Sequence, residues 1–496
     1  MTNEIYSIQP LIAIFLPWIS LLVILIMPGV HRRLRGIIHI VVSLVTFGMV
    51  LSFLPNVLDG RTFGISVVTL VEQINIHLTV DALGYYFGLV ITFIWLITTI
   101  YSVGYIDHRE NRYYGFMALC VSFILGCAFS QNMFTYFIFY ELMTLSTYPL
   151  IIHEETDVAH RAGVKYLKYA IPAGAVILFA TLFHYFWGGG DLSLMSSGTL
   201  SLETTSRTVL MIMFFAYLVG FGVKAAIIPL EGWVPDAHPA APSPASAVLS
   251  GIILKAGAFG IIRVVLNIFG PSLFKSLNLW IYLAVIAGVT MILASVRALR
   301  QDNLKRRLAY SSISQVSYIL LGLSLVSYDG SLGGIIHLAH HGIMKACLFL
   351  CAGIILILTG KRNVSELSGI GYRIPITMTC FTICALAMFG TPPSIGFISK
   401  WFLGSGALQA GQPVLIVVLL FSALLNATYY FPIIYIAFFK RPSQYQPRVL
   451  LKDELSSIML WPTLVLTILV IFAGIWITVP GFPYSLVDRF VANIFQ

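Results

Sequence analysis

The chain has 496 residues, 58% of them hydrophobic and 10% charged, with a mean hydropathy of +0.91. Such values exclude a water-soluble protein, which needs far more polar surface. The net charge of +9 comes from basic residues spread over short connections, and no soluble basic patch suited to nucleic acid is present in the sequence.

The opening stretch MTNEIYSIQPLIAIFLPW lacks a basic leader and a small-residue cleavage site. Its apolar run, at 8–27, therefore reads as a retained helix and not a signal peptide. Runs long enough to cross about 30 Å of hydrocarbon at ~1.5 Å per residue follow at 36–55, 79–105, 113–129, 131–152, 162–187 and 206–230. Seven more lie at 243–270, 276–298, 305–327, 331–358, 375–403, 412–439 and 456–479. An all-α polytopic membrane protein of about fourteen spans is expected, with residues 1–496 forming one transmembrane domain; barrel strands would alternate and give a weaker signal. The longest polar connections, near 188–205 and 440–455, are too short to fold alone. A nucleotide-binding or iron–sulfur domain would have to be another chain.

Of the 29 Lys and Arg residues, twenty lie in or beside odd-numbered connections and five (Arg61, Arg207, Arg263, Lys275 and Arg489) are assigned to the opposite face. The positive-inside rule then puts the odd connections in the cytoplasm and both termini outside. The remaining four, Lys224, Lys255, Lys345 and Lys400, fall in mid-span, as does one acid, Glu141. A charge at the bilayer centre costs about 2.5–3.5 kcal/mol even on lenient scales, so the five imply a polar interior path. All four cations are lysines, which can release a proton when desolvated, whereas arginine keeps its charge. Snorkelling to the interface suits residues near a span edge, but Lys345 lies 14 and 13 residues from the ends of its span. A Lys224–Glu141 ion pair that only fixes packing is the other alternative.

Spans 7 and 12 carry helix breakers beside a lysine: Pro229 in KAAIIPLEGW, and Pro392 and Pro393 in FGTPPSIGFISKW. Broken helices in corresponding places mark the transport site of inverted-repeat transporters, and spans 7 and 12 are five apart. In span 11, His337, His341 and Lys345 recur every four residues and share one helical face, with His340 slightly off that line. Such a stripe suits a proton relay. Haem ligation competes, since paired histidines in bundles bind haem, but His39 and His184 are scattered; a histidine simply hydrogen-bonded to its neighbour is a third reading. Cys120, Cys127, Cys347, Cys351, Cys380 and Cys384 contain no CxxC and read as packing residues. No metal site or cofactor is expected.

The stretches FIFYELMTLSTYPLI, GFGVKAAIIPLEGWVPDAHPAAPSPASAVLSGIILKAGAFGIIR, LKRRLAYSSISQVSYI, HHGIMKACLFLCAG and GTPPSIGFISKWFL resemble one family over nearly the whole chain. It is the antiporter-like subunits of respiratory complex I, Mrp-type cation/proton antiporters and membrane-bound energy-converting hydrogenases. The resemblance implies fourteen helices with inverted five-helix repeats, here 113–270 and 276–439, and broken helices 7 and 12. It also implies proton translocation through Glu141, Lys224, Lys255, His337, His341, Lys345 and the terminal Lys400. Some members carry glutamate at this last place; lysine there, and HPAAPSPASA, look closer to Mrp D and hydrogenase-type members. The implied setting is a prokaryotic inner-membrane complex with other membrane subunits, moving protons, with Na+ as the candidate partner ion. A quinone- or haem-binding redox anchor and a stand-alone solute transporter are the competing classes.

Overall fold

Hydropathy alone would make this chain a stack of equivalent rods, but the helices differ according to what they line. The computed structural model describes residues 4–26, 32–71, 74–440, 453–454, 457–476 and 483–495. A helix lies at each expected span. In chain order they begin with α1 (Gln9–Phe15), α2 (Trp18–Ile26), α3 (Arg32–Leu51), the short α4 (Leu54–Leu58) and α5 (Ala82–Tyr105). Next come α6 (Glu110–Ala128), α7 (Met133–Ile151), α8 (Asp157–Trp187), α9 (Arg207–Ala225) and α10 (Val234–Ala240). The eighth span combines α11 (Ser243–Val248), α12 (Leu254–Arg263) and α13 (Gly270–Ser276). The second half holds α14 (Leu279–Leu299), α15 (Leu304–Ser324), α16 (Tyr328–Thr359), α17 (Pro375–Phe389), α18 (Ile395–Gln409) and α19 (Val414–Phe438). Two more, α20 (Leu460–Trp476) and α21 (Tyr484–Phe495), close the described chain. Most of the 440–455 connection lies outside the described residues.

Among the described residues, eight helices are individually long and apolar enough to cross a membrane, and α1 with α2, bent by 46°, makes a ninth if taken as one span. The other helices are short or carry polar residues inward. α15 is the clearest case: Ser311, Ser312, Ser314, Gln315 and Ser317 are all fully buried. A helix that lines a polar interior loses hydropathy on its protected face, not on its lipid face.

Three features depart from the expected pattern. Residues 56–78, a plain connection by hydropathy, contribute to a three-stranded sheet of β1 (Glu4–Tyr6), β2 (Thr62–Val71) and β3 (Ile74–Val80), in the order β1-β2-β3. β2 and β3 are antiparallel and β1 runs parallel to β2. The β-branched stretches GISVVTL and INIHLTV suit strands. Backbone bonds from Thr79 N to Phe129 O (2.7 Å) and Gln131 N to His77 O (3.0 Å) fasten the sheet to the α6–α7 connection.

The second departure concerns Arg263. It is not an exposed interfacial charge but lies on α12, fully buried among the helices. Asp81, which caps α5 by accepting from Gly84 N, also accepts from Arg263 Nη1 at 2.8 Å and Nη2 at 2.6 Å. A guanidinium there is tolerable because its fork matches the carboxylate.

Third, the eighth span is not a plain α-helix. π-helical turns at Leu249–Ile253 and Val264–Phe269 flank α12. Such turns widen the helix and recur at functional sites. On the other side of α12, a Cβ at Gly257 would stand 2.4 Å from Ala225 N and 2.6 Å from Phe221 O. Only glycine permits this approach to the end of α9, and backbone atoms cannot move aside. Gly257→Ala is expected to destabilise the protein by ~1–3 kcal/mol through overpacking, read as a lower thermal midpoint of the purified complex. An unchanged midpoint would mean that α9 and α12 part freely.

Candidate functional site

Both breaks leave backbone groups without helical partners, and side chains take them up. At the first, α9 ends with Ala226 in the left-handed region (φ 58°). Pro229 has no N–H to offer Ala225 O. The amide of Ile228 turns instead to Thr290 Oγ1 on α14 (3.1 Å), and Trp233 Nε1 donates to Val223 O (2.8 Å). At the second break, Gly390 (φ 93°) ends α17. Met388 O would accept from residue 392 in a continuous helix, but Pro392 has no donor. Lys400 Nζ, from α18, fills that place at 2.6 Å.

Glu141, Lys224, Lys255, His337, His341, Lys345 and Lys400 all face the interior. Lys224, Lys255, His337, His341 and Lys345 are fully buried, His340 is buried, and Glu141 and Lys400 are partly buried. The sequence pairs Lys224 with Glu141, but the two make no direct ion pair. Lys224 Nζ donates to Thr144 Oγ1 (2.7 Å) and stands 4.3 Å over the Tyr140 ring. The Glu141 carboxylate packs against Gly174 of α8, where a Cβ would come within 2.1 Å of Oε1, and this oxygen has no hydrogen-bond partner among the described residues. Glu141 lies between Tyr140 and Thr144 on α7, the two residues that hold the Lys224 ammonium.

From Lys224 the row continues through the Gly257 contact to α12. Lys255 Nζ donates to Ser250 O within the first π turn, and Ser250 Oγ meets Ser312 Oγ of α15 at 2.7 Å. On α16, the rings of His337 and His341 stack at 5.7 Å with 3° between planes. Neither ring nitrogen of His341 has a partner among the described residues. Lys345 Nζ donates to Leu308 O (2.9 Å), to Ser311 Oγ and to Tyr430 Oη (3.1 Å). His337 Nδ1 meets Ser399 Oγ at 2.8 Å, beside Lys400 in sequence, and Lys400 Nζ lies 5.0 Å over the Tyr318 ring, itself 5.4 Å from His337. His340 Nδ1 is unpartnered.

Several participants carry no individual mark in the sequence: Thr144, Tyr140, Ser250, Ser312, Tyr318 and Tyr430. The one signal that points to any of them is the serine run of α15, polar in a helix that must be buried. His238, on α10 below the first break, is also fully buried, stacked on Phe349 at 4.7 Å, with both ring nitrogens unpartnered. His39 stacks on Tyr114 (4.2 Å) and His184 meets Tyr217 Oη (3.4 Å), so both are engaged away from α16. The six cysteines are buried free thiols, and among the described residues no cluster of three or more His, Cys, Asp or Glu could hold a metal.

A helical, multi-pass membrane protein with two broken helices and buried lysines along its interior defines the antiporter-like class of membrane protein. Residues 130–426 match the family described as NADH:quinone oxidoreductase/Mrp antiporter, TM, and the chain belongs to it. The NADH-quinone oxidoreductase subunit N of Desulforudis audaxviator is 32% identical over 417 residues, which is 81% of this chain and 82% of that one. Hydrogenase-4 component B of Escherichia coli is 31% identical over 376 residues, 70% of this chain and 55% of that protein. Among solved structures, a chain of an archaeal membrane-bound sulfane sulfur reductase superposes with TM-score 0.85 at 25% identity, covering 99% of this chain and 98% of that one. A chain of the Mrp complex of Dietzia sp. gives 0.84 at 21% identity with the same coverage, a likeness of fold. These relatives are subunits of multisubunit membrane complexes.

Proposed function

We propose that this chain translocates protons as one membrane component of a larger complex, through the row from Glu141 and Lys224 by Lys255, His341 and His337 to Lys400. The observation that carries this reading is the run of buried polar atoms left without protein partners beside it: Glu141 Oε1, Tyr140 Oη, both amide atoms of Gln315 and both nitrogens of His341. Buried polar groups are costly unless satisfied, and water is their usual partner where protein supplies none. A row of lysines and histidines joined by water can pass a proton from group to group. His238 supports a branch towards the basic face. In this reading the chain crosses the membrane fourteen times, with inverted repeats at 113–270 and 276–439 and both termini outside the cytoplasm of a prokaryotic cell.

The finer reading is the D-type member of an Mrp antiporter, favoured by lysine at position 400. A second reading, the pumping component of an oxidoreductase or hydrogenase complex, is favoured by the relatives named above. Everted vesicles carrying the whole complex separate the two. In the first case added Na+ collapses an imposed pH gradient without NADH or hydrogen; in the second, proton uptake requires the electron donor. Vesicles from cells lacking this chain that retain both responses would refute proton transport by it.

A further inference from the structure

A cavity of about 430 Å³ lies outside the row, at the basic face, where α8, α10 and the start of α15 meet. Arg161, Lys165, Asp236, Asn303 and Arg306 line it together with Val158. Asp236 is the single carboxylate and is shared, accepting from Lys165 Nζ at 2.6 Å and Arg306 Nη2 at 3.1 Å. Arg161 is exposed and makes no ion pair or hydrogen bond among the described residues. Three cations face one carboxylate, so the cavity keeps an excess of positive charge with donors from two helices directed into it.

The surroundings supply the second half of a recognition site. Arg161 begins the outward face of α8, and this face continues through Val164, Ile171, Phe179 and Phe186, all exposed. From Val164 to Phe179 is about 22 Å of helix at ~1.5 Å per residue, more than the ~15 Å of hydrocarbon that one leaflet's acyl chains fill. A phosphate held by the cavity would therefore sit at headgroup level, above an apolar track for its chains. Basic pockets between helices at this level attract anionic headgroups, each cation contributing ~1 kcal/mol, and guanidinium suits phosphate oxygens by its planar fork.

We propose that this cavity binds the phosphate of an anionic phospholipid, whose acyl chains lie along α8. The site goes beyond proton transport and stands independently of it. Occupancy would add a counter-charge to Arg161, Lys165 and Arg306, two of which already hold Asp236 of α10, and so brace the segment that follows the first break.

The test uses the intact complex exchanged into micelles containing phosphatidylglycerol and phosphatidylcholine, with bound lipid counted by native mass spectrometry. Wild type is expected to retain phosphatidylglycerol in preference to phosphatidylcholine. Arg161→Gln, which breaks no internal bond, should weaken phosphatidylglycerol retention about fivefold, the equivalent of one cation, and leave phosphatidylcholine unchanged. Equal retention of both lipids, or no difference between Arg161→Gln and wild type, would overturn the proposal. Displacement of the Arg161-dependent phosphatidylglycerol by millimolar inorganic phosphate would also overturn it, by making the site one for free phosphate.

Discussion

Glu141→Ala is expected to lower proton flux through the complex by about tenfold or more, equivalent to ~1.4 kcal/mol, while leaving assembly largely intact. The carboxylate touches neither Lys224 nor any hydrogen-bond donor at Oε1, so its removal breaks no structural bond there. What is lost is the negative charge acting through space on the buried ammonium, which then has only Thr144 Oγ1 and the Tyr140 ring to hold it. Glu141→Asp keeps the charge on a stem one methylene shorter and should be milder. Glu141→Gln keeps the packing against Gly174 and should resemble alanine. Wild-type gradient formation by Glu141→Ala vesicles at equal protein content would reduce Glu141 to a packing residue.

The second large effect is expected at Lys400, where arginine should fail nearly as badly as alanine. Both cations could reach Met388 O and lie over the Tyr318 ring, the polar contacts of the Lys400 ammonium among the described residues. A fixed-charge role would therefore be restored by arginine. A terminal proton carrier must give its proton up, which an ammonium in a low-dielectric site can do and a guanidinium does not. Flux in vesicles with matched expression of Lys400→Arg and Lys400→Ala separates the two roles. Near-normal flux in the arginine variant would remove Lys400 from the relay and leave it an anchor for the broken end of α17.

The helices, their approximate bounds and both breaks are legible in the sequence because each depends on local properties. Apolar length sets a span, and a proline without a donor breaks the ladder wherever it falls. That Lys224, Lys255, Lys345, Lys400 and Glu141 fall within apolar runs is legible for the same reason, since it depends only on their neighbours along the chain. The β2–β3 pair is hidden from span-length hydropathy, which averages away the alternation in its shorter runs. Arg263 falls on a membrane face by charge counting, which takes arginine as exposed, and its partner, Asp81, is 182 positions away.

By itself, then, the sequence determined that this is a polytopic membrane protein with ionisable residues within its apolar runs and two interrupted spans. Only the tertiary structure decided which groups meet. Lys224 turns to Thr144 because α7 presents that hydroxyl to it while Glu141 is drawn against Gly174. Lys255 finds Ser250 O because π turns interrupt the regular helix of its span, and Lys345 reaches Tyr430 because α19 packs within reach of α16. Depth and helicity follow from neighbours in the chain, whereas a buried cation's partner is whichever acceptor long-range packing delivers to within ~3 Å, and that choice is made by helix-to-helix contacts such as the one at Gly257.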